Sequence, residues 1–240
     1  MVFYGLQKTT LLDYPGHVAA TIFTGGCNFR CPFCHNMNLV NLQGKDSIST
    51  ISEADIFSFL QKRCGVLDGI CVTGGEPTLN DGLGEFLSKV KKINTNSNSL
   101  LIKLDTNGTN PEMIKDLIDK GLIDYVAMDI KSSEDDYYKA AGINEEDKFI
   151  DSIKQSVSII INSNIDYEFR TTVVDGLHDI DSIKGIGQLI KGAKRHYLQA
   201  FKESEFVCDK SFSTPDDITI TKYKEIMKDY VDEAYIRGVD

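Results

Sequence analysis

The chain has 240 residues, 41% hydrophobic and 26% charged, a balance that suits one compact domain of α/β size and excludes a disordered chain. A formal net charge of −10 leaves no basic patch and excludes a surface built to track nucleic-acid phosphates. The opening MVFYGLQKTTLLDYPG lacks the apolar core of a signal peptide, and no run approaches the roughly 18 apolar residues of a membrane span. A cytoplasmic protein with no membrane and no nucleic-acid partner is therefore expected.

In chain order, VAATIF (18–23) reads as a buried strand that runs into Thr24-Gly25-Gly26 and a cysteine-rich loop. Ser52 is placed to cap a helix whose apolar face is Ile56, Phe59 and Leu60. GICV (69–72) is a second strand, followed by Thr73-Gly74-Gly75-Glu76-Pro77. Leu79, Leu83, Phe86, Leu87, Val90 and Ile93 then recur at helical spacing. LLIKL (100–104) is a third strand ending in Asp105-Thr106-Asn107-Gly108. Asn110-Pro111 opens the next helix and Gly121 closes it. YVAMDI (125–130) is a fourth strand, and Ile150, Ile153, Val157, Ile160 and Ile161 mark the helix after it. YEFRTTVV (167–174) and HYLQAF (196–201) complete six strands, with Ile183, Ile186, Leu189 and Ile190 on a helix between them. Thr214-Pro215 opens a last helix through about Val231.

Six strand-then-helix units imply parallel strands in an α/β fold. An open partial (β/α)6 barrel or a doubly wound sheet would satisfy the count, and the partial barrel is the expectation carried forward. No linker or repeat divides the chain. It is expected to form a single domain: an N-terminal extension over 1–17, a β/α core over 18–201, and a C-terminal helix and tail over 202–240. The unusual residues follow strands rather than precede them, which gathers them on the carboxyl face, where parallel α/β proteins bind ligands.

Cys27-x3-Cys31-x2-Cys34 puts three thiolates on one short loop, soft ligands suited to an iron–sulfur cluster or zinc. A four-iron cubane normally takes four cysteines, so three would leave one iron open to a cofactor. Zinc would need a fourth ligand, and His35 beside Cys34 breaks the usual finger spacing. Cys64, Cys71 and Cys208 stand alone and read as small buried hydrophobes. Elsewhere bland and functional readings stand side by side. TGGEP and DTNG can be ordinary turns or ligand contacts, Asp129 and Lys131 share a strand face and can form a plain ion pair, and Arg170 in an apolar strand needs either a ligand carboxylate or an internal acid.

TGGCNFRCPFCHN (24–36) resembles the signature loop of the radical S-adenosylmethionine (SAM) superfamily, C-x3-C-x-aromatic-C, with Phe33 in the aromatic place. Within it the chain is most similar to the activating enzymes of glycyl radical proteins, especially the anaerobic ribonucleotide reductase activating type. LQKTTLLDYPG (6–16), VTGGEPTL (72–79), DTNG (105–108), MDIK (128–131), FRTTVV (169–174), YLQAF (197–201) and YIRG (235–238) carry that likeness.

The resemblance implies that Cys27, Cys31 and Cys34 bind three irons of a [4Fe–4S] cluster and that SAM chelates the fourth. Gly74, Gly75 and Glu76 would cradle the methionine moiety, the backbone around Phe33 would meet the adenine, and Lys131 and Arg170 would face the carboxylate or ribose of SAM. Asp105, Thr106 and Asp129 resemble positions that hold a monovalent cation in some activating enzymes. Asp13, in DYPG, resembles a stretch near the protein-substrate site, with Tyr14 replacing a glycine of that pattern. Some relatives carry a histidine on the last strand, near where Gln199 stands. The implied reaction is reductive cleavage of SAM to an adenosyl radical, with an external donor such as flavodoxin or ferredoxin and a glycyl radical enzyme as partner. A radical SAM enzyme acting on a small molecule, such as a 7-carboxy-7-deazaguanine synthase relative, and a zinc-binding interaction protein are the rival expectations.

Overall fold

Strand and helix alternate along the computed structural model, which describes residues 1–42, 49–94, 99–146, 149–203, 207 and 211–239. The elements are β1 (Val2–Phe3), β2 (Gly5–Thr10), β3 (Ala19–Thr24), α1 (Met37–Val40), β4 (Ile51–Ser52), α2 (Glu53–Arg63), β5 (Gly69–Gly74), a 3₁₀ turn at Pro77–Leu79, α3 (Leu83–Val90), β6 (Leu101–Thr106), α4 (Pro111–Asp119), β7 (Tyr125–Asp129), α5 (Tyr137–Ala141), α6 (Phe149–Ile161), β8 (Asp166–Val173), α7 (Ile180–Leu189), β9 (Arg195–Ala200), α8 (Asp217–Met227) and β10 (Glu233–Arg237). Among the described residues no helix is long and apolar enough to cross a membrane.

The chain divides into two compact units. The first comprises Met1–Asn28, Asn38–Thr106 and Glu112–Val126, and the second Phe29–Met37, Asn107–Pro111 and Ala127–Asp240. In the first unit the strands run in the order β2-β3-β5-β6, with β3, β5 and β6 parallel and β2 antiparallel to β3. The register sets Thr21 beside Cys71 and Cys71 beside Lys103. Ile22, Ile70, Val72, Ile102 and Leu104 are fully buried on the opposite face, as period-two alternation requires. The second unit carries β8, β9 and β10, all parallel. Tyr167, Phe169 and Leu198 are buried there, as are Ile153, Ile160, Ile183 and Ile186 of its helices. This is the expected α/β class, parallel strands alternating with helices, to which a partial (β/α)6 barrel belongs.

Local chemistry accounts for the boundaries. Ser52 Oγ accepts the backbone N–H of Asp55 at 3.1 Å and caps α2. Pro111 is the first residue of α4. Two expectations need correction. Leu79 belongs to the 3₁₀ turn after Glu76 and is 46% exposed, because Asn80 and Gly82 break the helical run before α3. The last helix starts at Asp217, capped by Asp216, rather than at Thr214-Pro215, and ends at Met227. The extension and tail also contain strands, β2 along β3 and β10 along β9; β10 is short, and its burial does not follow a clean alternation. Cys71 is buried as expected, Cys64 is half-buried, and Cys208 lies outside the described residues.

One buried group makes the second unit acid-sensitive. His196 is fully buried, with Nε2 3.0 Å from Thr171 Oγ1. That hydroxyl donates to the Ile130 carbonyl at 2.9 Å, so the imidazole must be the donor in the pair. Nδ1 is left without a hydrogen-bond partner among the described residues. Burial pushes the His196 pKa down from 6.5 to about 3. Its neutral form therefore contributes stability at neutral pH that is lost as the unfolded chain gains a proton below 6.5 and the folded chain does not. The expected slope is about 1.4 kcal/mol per pH unit between those two values. Urea unfolding of the wild type and of His196→Leu across pH 4 to 7 checks this, with the variant's acid-side slope smaller by about one proton.

Candidate active site

Two glycines fix the first part of the site. β5 ends at Gly74 (φ +124°), and a Cβ there would overlap the backbone of Thr24; one on Gly75 would overlap the carbonyl oxygen of Gly26. The bare backbones can instead join. Gly75 N–H donates to Thr24 O at 3.1 Å, and Glu76 N–H donates to Gly26 O at 2.7 Å. The GGE turn is thereby pinned to the residue that precedes Cys27.

Glu76 is 1% exposed, and its Oε1 accepts three bonds: from Thr78 N–H at 3.0 Å, Thr78 Oγ1 at 2.6 Å and Thr106 Oγ1 at 2.8 Å. A buried carboxylate oriented this way is a ready acceptor for an ammonium group. Thr106, expected as a cation ligand, directs its hydroxyl proton to Glu76. Thr78 went unassigned in the sequence, although the T of VTGGEPTL stands two residues after the acid, where a hydroxyl reaches back.

Asp105, the other expected cation ligand of β6, is paired with Lys103, which is 2% exposed and also 3.7 Å from Cys71 Sγ. On the same sheet face, Asp13 accepts a short hydrogen bond from Thr21 Oγ1, while Asp13 N–H donates to Thr10 Oγ1 at 3.2 Å. Asp13 thus closes the turn before β3.

In the second unit the loop carrying Cys31 and Cys34 is held by its backbone. Cys34 N–H donates to Cys31 O at 3.0 Å, Arg30 N–H donates to Ala141 O at 2.9 Å, and Cys31 Sγ lies 3.7 Å from that same oxygen. Gly142, left-handed at the end of α5, leaves room for the Arg30 carbonyl. Phe33 is buried at 3% exposure, and the Phe29 ring packs edge-on against Phe149 and Tyr137, at 5.7 and 6.3 Å between centroids. His35 stacks on Phe201, and burial lowers its pKa.

Asp129, the last residue of β7, accepts from Arg170 Nε at 2.9 Å and from Lys131 Nζ at 3.1 Å, one on each oxygen. An internal acid, then, partners Arg170. Burial pushes the Asp129 carboxyl up, but the charges of Arg170 and Lys131 outweigh it and hold its pKa at about 2. Burial disfavours the Lys131 ammonium, and the negative charges of Asp129 and Cys31 outweigh that and raise its pKa. Two cationic side chains thus converge on one carboxylate at the end of β7.

His178 carries no signal in the sequence. Its Nδ1 accepts from Val174 N–H at 3.0 Å and its Nε2–H donates to the Lys131 carbonyl at 2.8 Å. Those two partners fix the neutral tautomer, and burial lowers the pKa accordingly. His178 therefore locks the backbone of Lys131 behind its ammonium.

Cys27, Cys31, Cys34, Cys64 and Cys71 are thiols rather than halves of disulfides. Among the described residues no three His, Cys, Asp or Glu side chains are gathered to hold a single metal ion. A cubane asks less convergence of its ligands, since each cysteine binds a different iron. One observation fits the cofactors: the GGE turn that only bare glycines allow beside Cys27.

Comparison with known proteins agrees. Over nearly its whole length the chain is similar to a putative glycyl-radical enzyme activating enzyme of Methanocaldococcus jannaschii, 31% identical with 98% of this chain and 95% of that protein covered. The pyruvate formate-lyase-activating enzyme of Clostridium pasteurianum is 24% identical over 95% of this chain and 87% of that protein. A radical SAM methyltransferase from Sphaerobacter thermophilus shares the fold, with a TM-score of 0.69 and 15% identity over 93% of this chain and 67% of that one. The model of the Radical SAM superfamily matches residues 21–183, a span that takes in every site residue named above from Cys27 to Arg170. The chain belongs to the radical SAM superfamily and is an enzyme of that kind, working with a [4Fe–4S] cluster and SAM.

Proposed function

We propose that this enzyme activates a glycyl radical enzyme by taking one hydrogen atom from the α-carbon of a glycine in that partner, an anaerobic ribonucleotide reductase. The observation that carries the reading is the extent of the likeness to the M. jannaschii protein: it spans 98% of the chain, well beyond the superfamily core at 21–183. The cell compartment proposed is an oxygen-poor cytoplasm, and the electron source an external flavodoxin or ferredoxin.

Cys27, Cys31 and Cys34 would hold the cluster. When bound, the cluster and SAM supply a one-electron cleavage of the sulfonium S–C5′ bond, giving methionine and a 5′-deoxyadenosyl radical. The chain's own residues bind and orient. Glu76, steadied by Thr78 and Thr106, accepts the SAM ammonium, and Gly74 and Gly75 cradle the methionine moiety by holding the turn against the start of the cysteine loop. Lys131 and Arg170 take the SAM carboxylate, and the backbone at Phe33 takes the adenine. Asp13 contacts the partner polypeptide. The glycine loses a hydrogen atom and keeps one unpaired electron, and 5′-deoxyadenosine leaves. No general base is needed, so selection rests on positioning.

Mixing the reconstituted enzyme with SAM, reductant and a candidate anaerobic ribonucleotide reductase tests this by EPR. A glycyl radical signal on the partner is expected. Release of 5′-deoxyadenosine with no radical on any such partner would move the assignment to another substrate class.

A further inference from the structure

We propose that Lys103 supplies, from inside the chain, the positive charge that a bound monovalent cation would otherwise bring to Asp105, so that SAM binding needs no alkali cation. The inference rests on the reading of β6 as part of the SAM site.

Lys103 interrupts an apolar strand whose neighbours Leu100, Ile102 and Leu104 are all fully buried. It lies two residues before Asp105, so both side chains leave the same face of β6. Its ammonium, 2% exposed, pairs with Asp105 Oδ1 and approaches Cys71 Sγ at 3.7 Å on the neighbouring strand. A buried lysine is tolerated only when its charge is matched, and the carboxylate matches it. An ammonium group and a potassium ion are both compact, singly positive and oxygen-seeking. A second cation arriving at Asp105 would meet the Lys103 ammonium in low dielectric.

The other expected cation ligands are similarly committed. Both oxygens of Asp129 accept from cationic side chains, Arg170 and Lys131. Thr106 turns its hydroxyl proton to Glu76. Lys103 thus gives Asp105 the charge balance an alkali ion would give, and it is already in place when SAM arrives, which removes the need to order an ion with it.

The test compares SAM binding to reconstituted enzyme in potassium, sodium and tetramethylammonium chloride at equal ionic strength. For the wild type, affinity should change by less than about twofold, below the tenfold that marks a lost interaction of about 1.4 kcal/mol. Lys103→Met should lose about tenfold or more in tetramethylammonium and recover most of it in potassium. Thallium-205 NMR gives a readout independent of turnover: no saturable thallium site in the wild type, and one in Lys103→Met. A tenfold loss of wild-type affinity without sodium or potassium would overturn the proposal. So would a saturable thallium site in the wild type, or Lys103→Met binding SAM like wild type in tetramethylammonium. If the variant does not fold, the wild-type salt series and thallium titration decide the matter alone. Failure of the wild type to bind SAM in any salt would instead sink the reading of the site itself.

Discussion

Cys31→Ala, reconstituted without oxygen, is expected to cleave SAM at no more than about one-thousandth of the wild-type rate, a barrier rise of roughly 4 kcal/mol. In the proposed ligand set each of the three thiolates would hold a different iron, and losing one would leave two irons without a protein ligand. The loop itself should survive the change. Its shape comes from Arg30 N–H on Ala141 O, Cys34 N–H on Cys31 O and the buried Phe29 and Phe33 rings, none of which needs the Cys31 sulfur. The variant should therefore stay folded while iron content and 5′-deoxyadenosine production collapse together. Cys64→Ala is the matched control: that thiol sits at the end of α2, 3.1 Å from Gln61 O, and its loss should leave cleavage unchanged. Full iron content and cleavage in Cys31→Ala would show that the ligand set has been assigned wrongly.

Gly75→Ala is expected to weaken SAM binding by at least about a hundredfold, a loss of roughly 3 kcal/mol. The added Cβ would overlap the Gly26 carbonyl, which is backbone and cannot swing aside. Either the GGE turn lifts or the start of the cysteine loop is pushed out. Both moves break the bonds from Gly75 N–H to Thr24 O and from Glu76 N–H to Gly26 O, at about 1–3 kcal/mol for each buried group left unmatched. Glu76 moves with the turn and leaves the hydroxyls of Thr78 and Thr106 that orient it. Calorimetric titration with SAM, beside a thermal melt, separates the binding loss from general instability. Gly84→Ala is the contrast: its Cβ would find Leu117 at an ordinary 3.7 Å inside α3, and it should stabilise the chain by about 0.5–1 kcal/mol.

The motif residues were legible because their chemistry is local. Three cysteines in eight residues, paired glycines before an acid, and an Asp and Lys two apart on a strand keep their meaning whatever surrounds them. The core strands were legible for a similar reason, since VAATIF, GICV and YVAMDI are short apolar runs closed by turn residues. What depended on distant partners was not. Residues 5–10, GLQKTT, have no alternation strong enough to announce β2, whose strand character comes from pairing with β3. YIRG lacked a structural meaning until β9 supplied its neighbour: Arg237 fits over the Tyr197 ring at 3.4 Å and pairs with the buried Glu168 at 2.8 and 2.9 Å. Lys103 is visible as a lone charge in LLIKL, yet its pairing with Asp105 shows only once β6 sets both side chains on one face. His178 could not be found at all, because its two partners, at Lys131 and Val174, are backbone groups that leave no mark in composition or spacing.

The most direct measurement is a single anaerobic reconstitution with iron and sulfide, followed by metal analysis and by reduction in the presence of SAM. About four irons per chain should bind, and methionine and 5′-deoxyadenosine should appear in equal amounts on reduction. One tightly held zinc per chain, or a reduced iron–sulfur protein that leaves SAM intact, would contradict the account at its root.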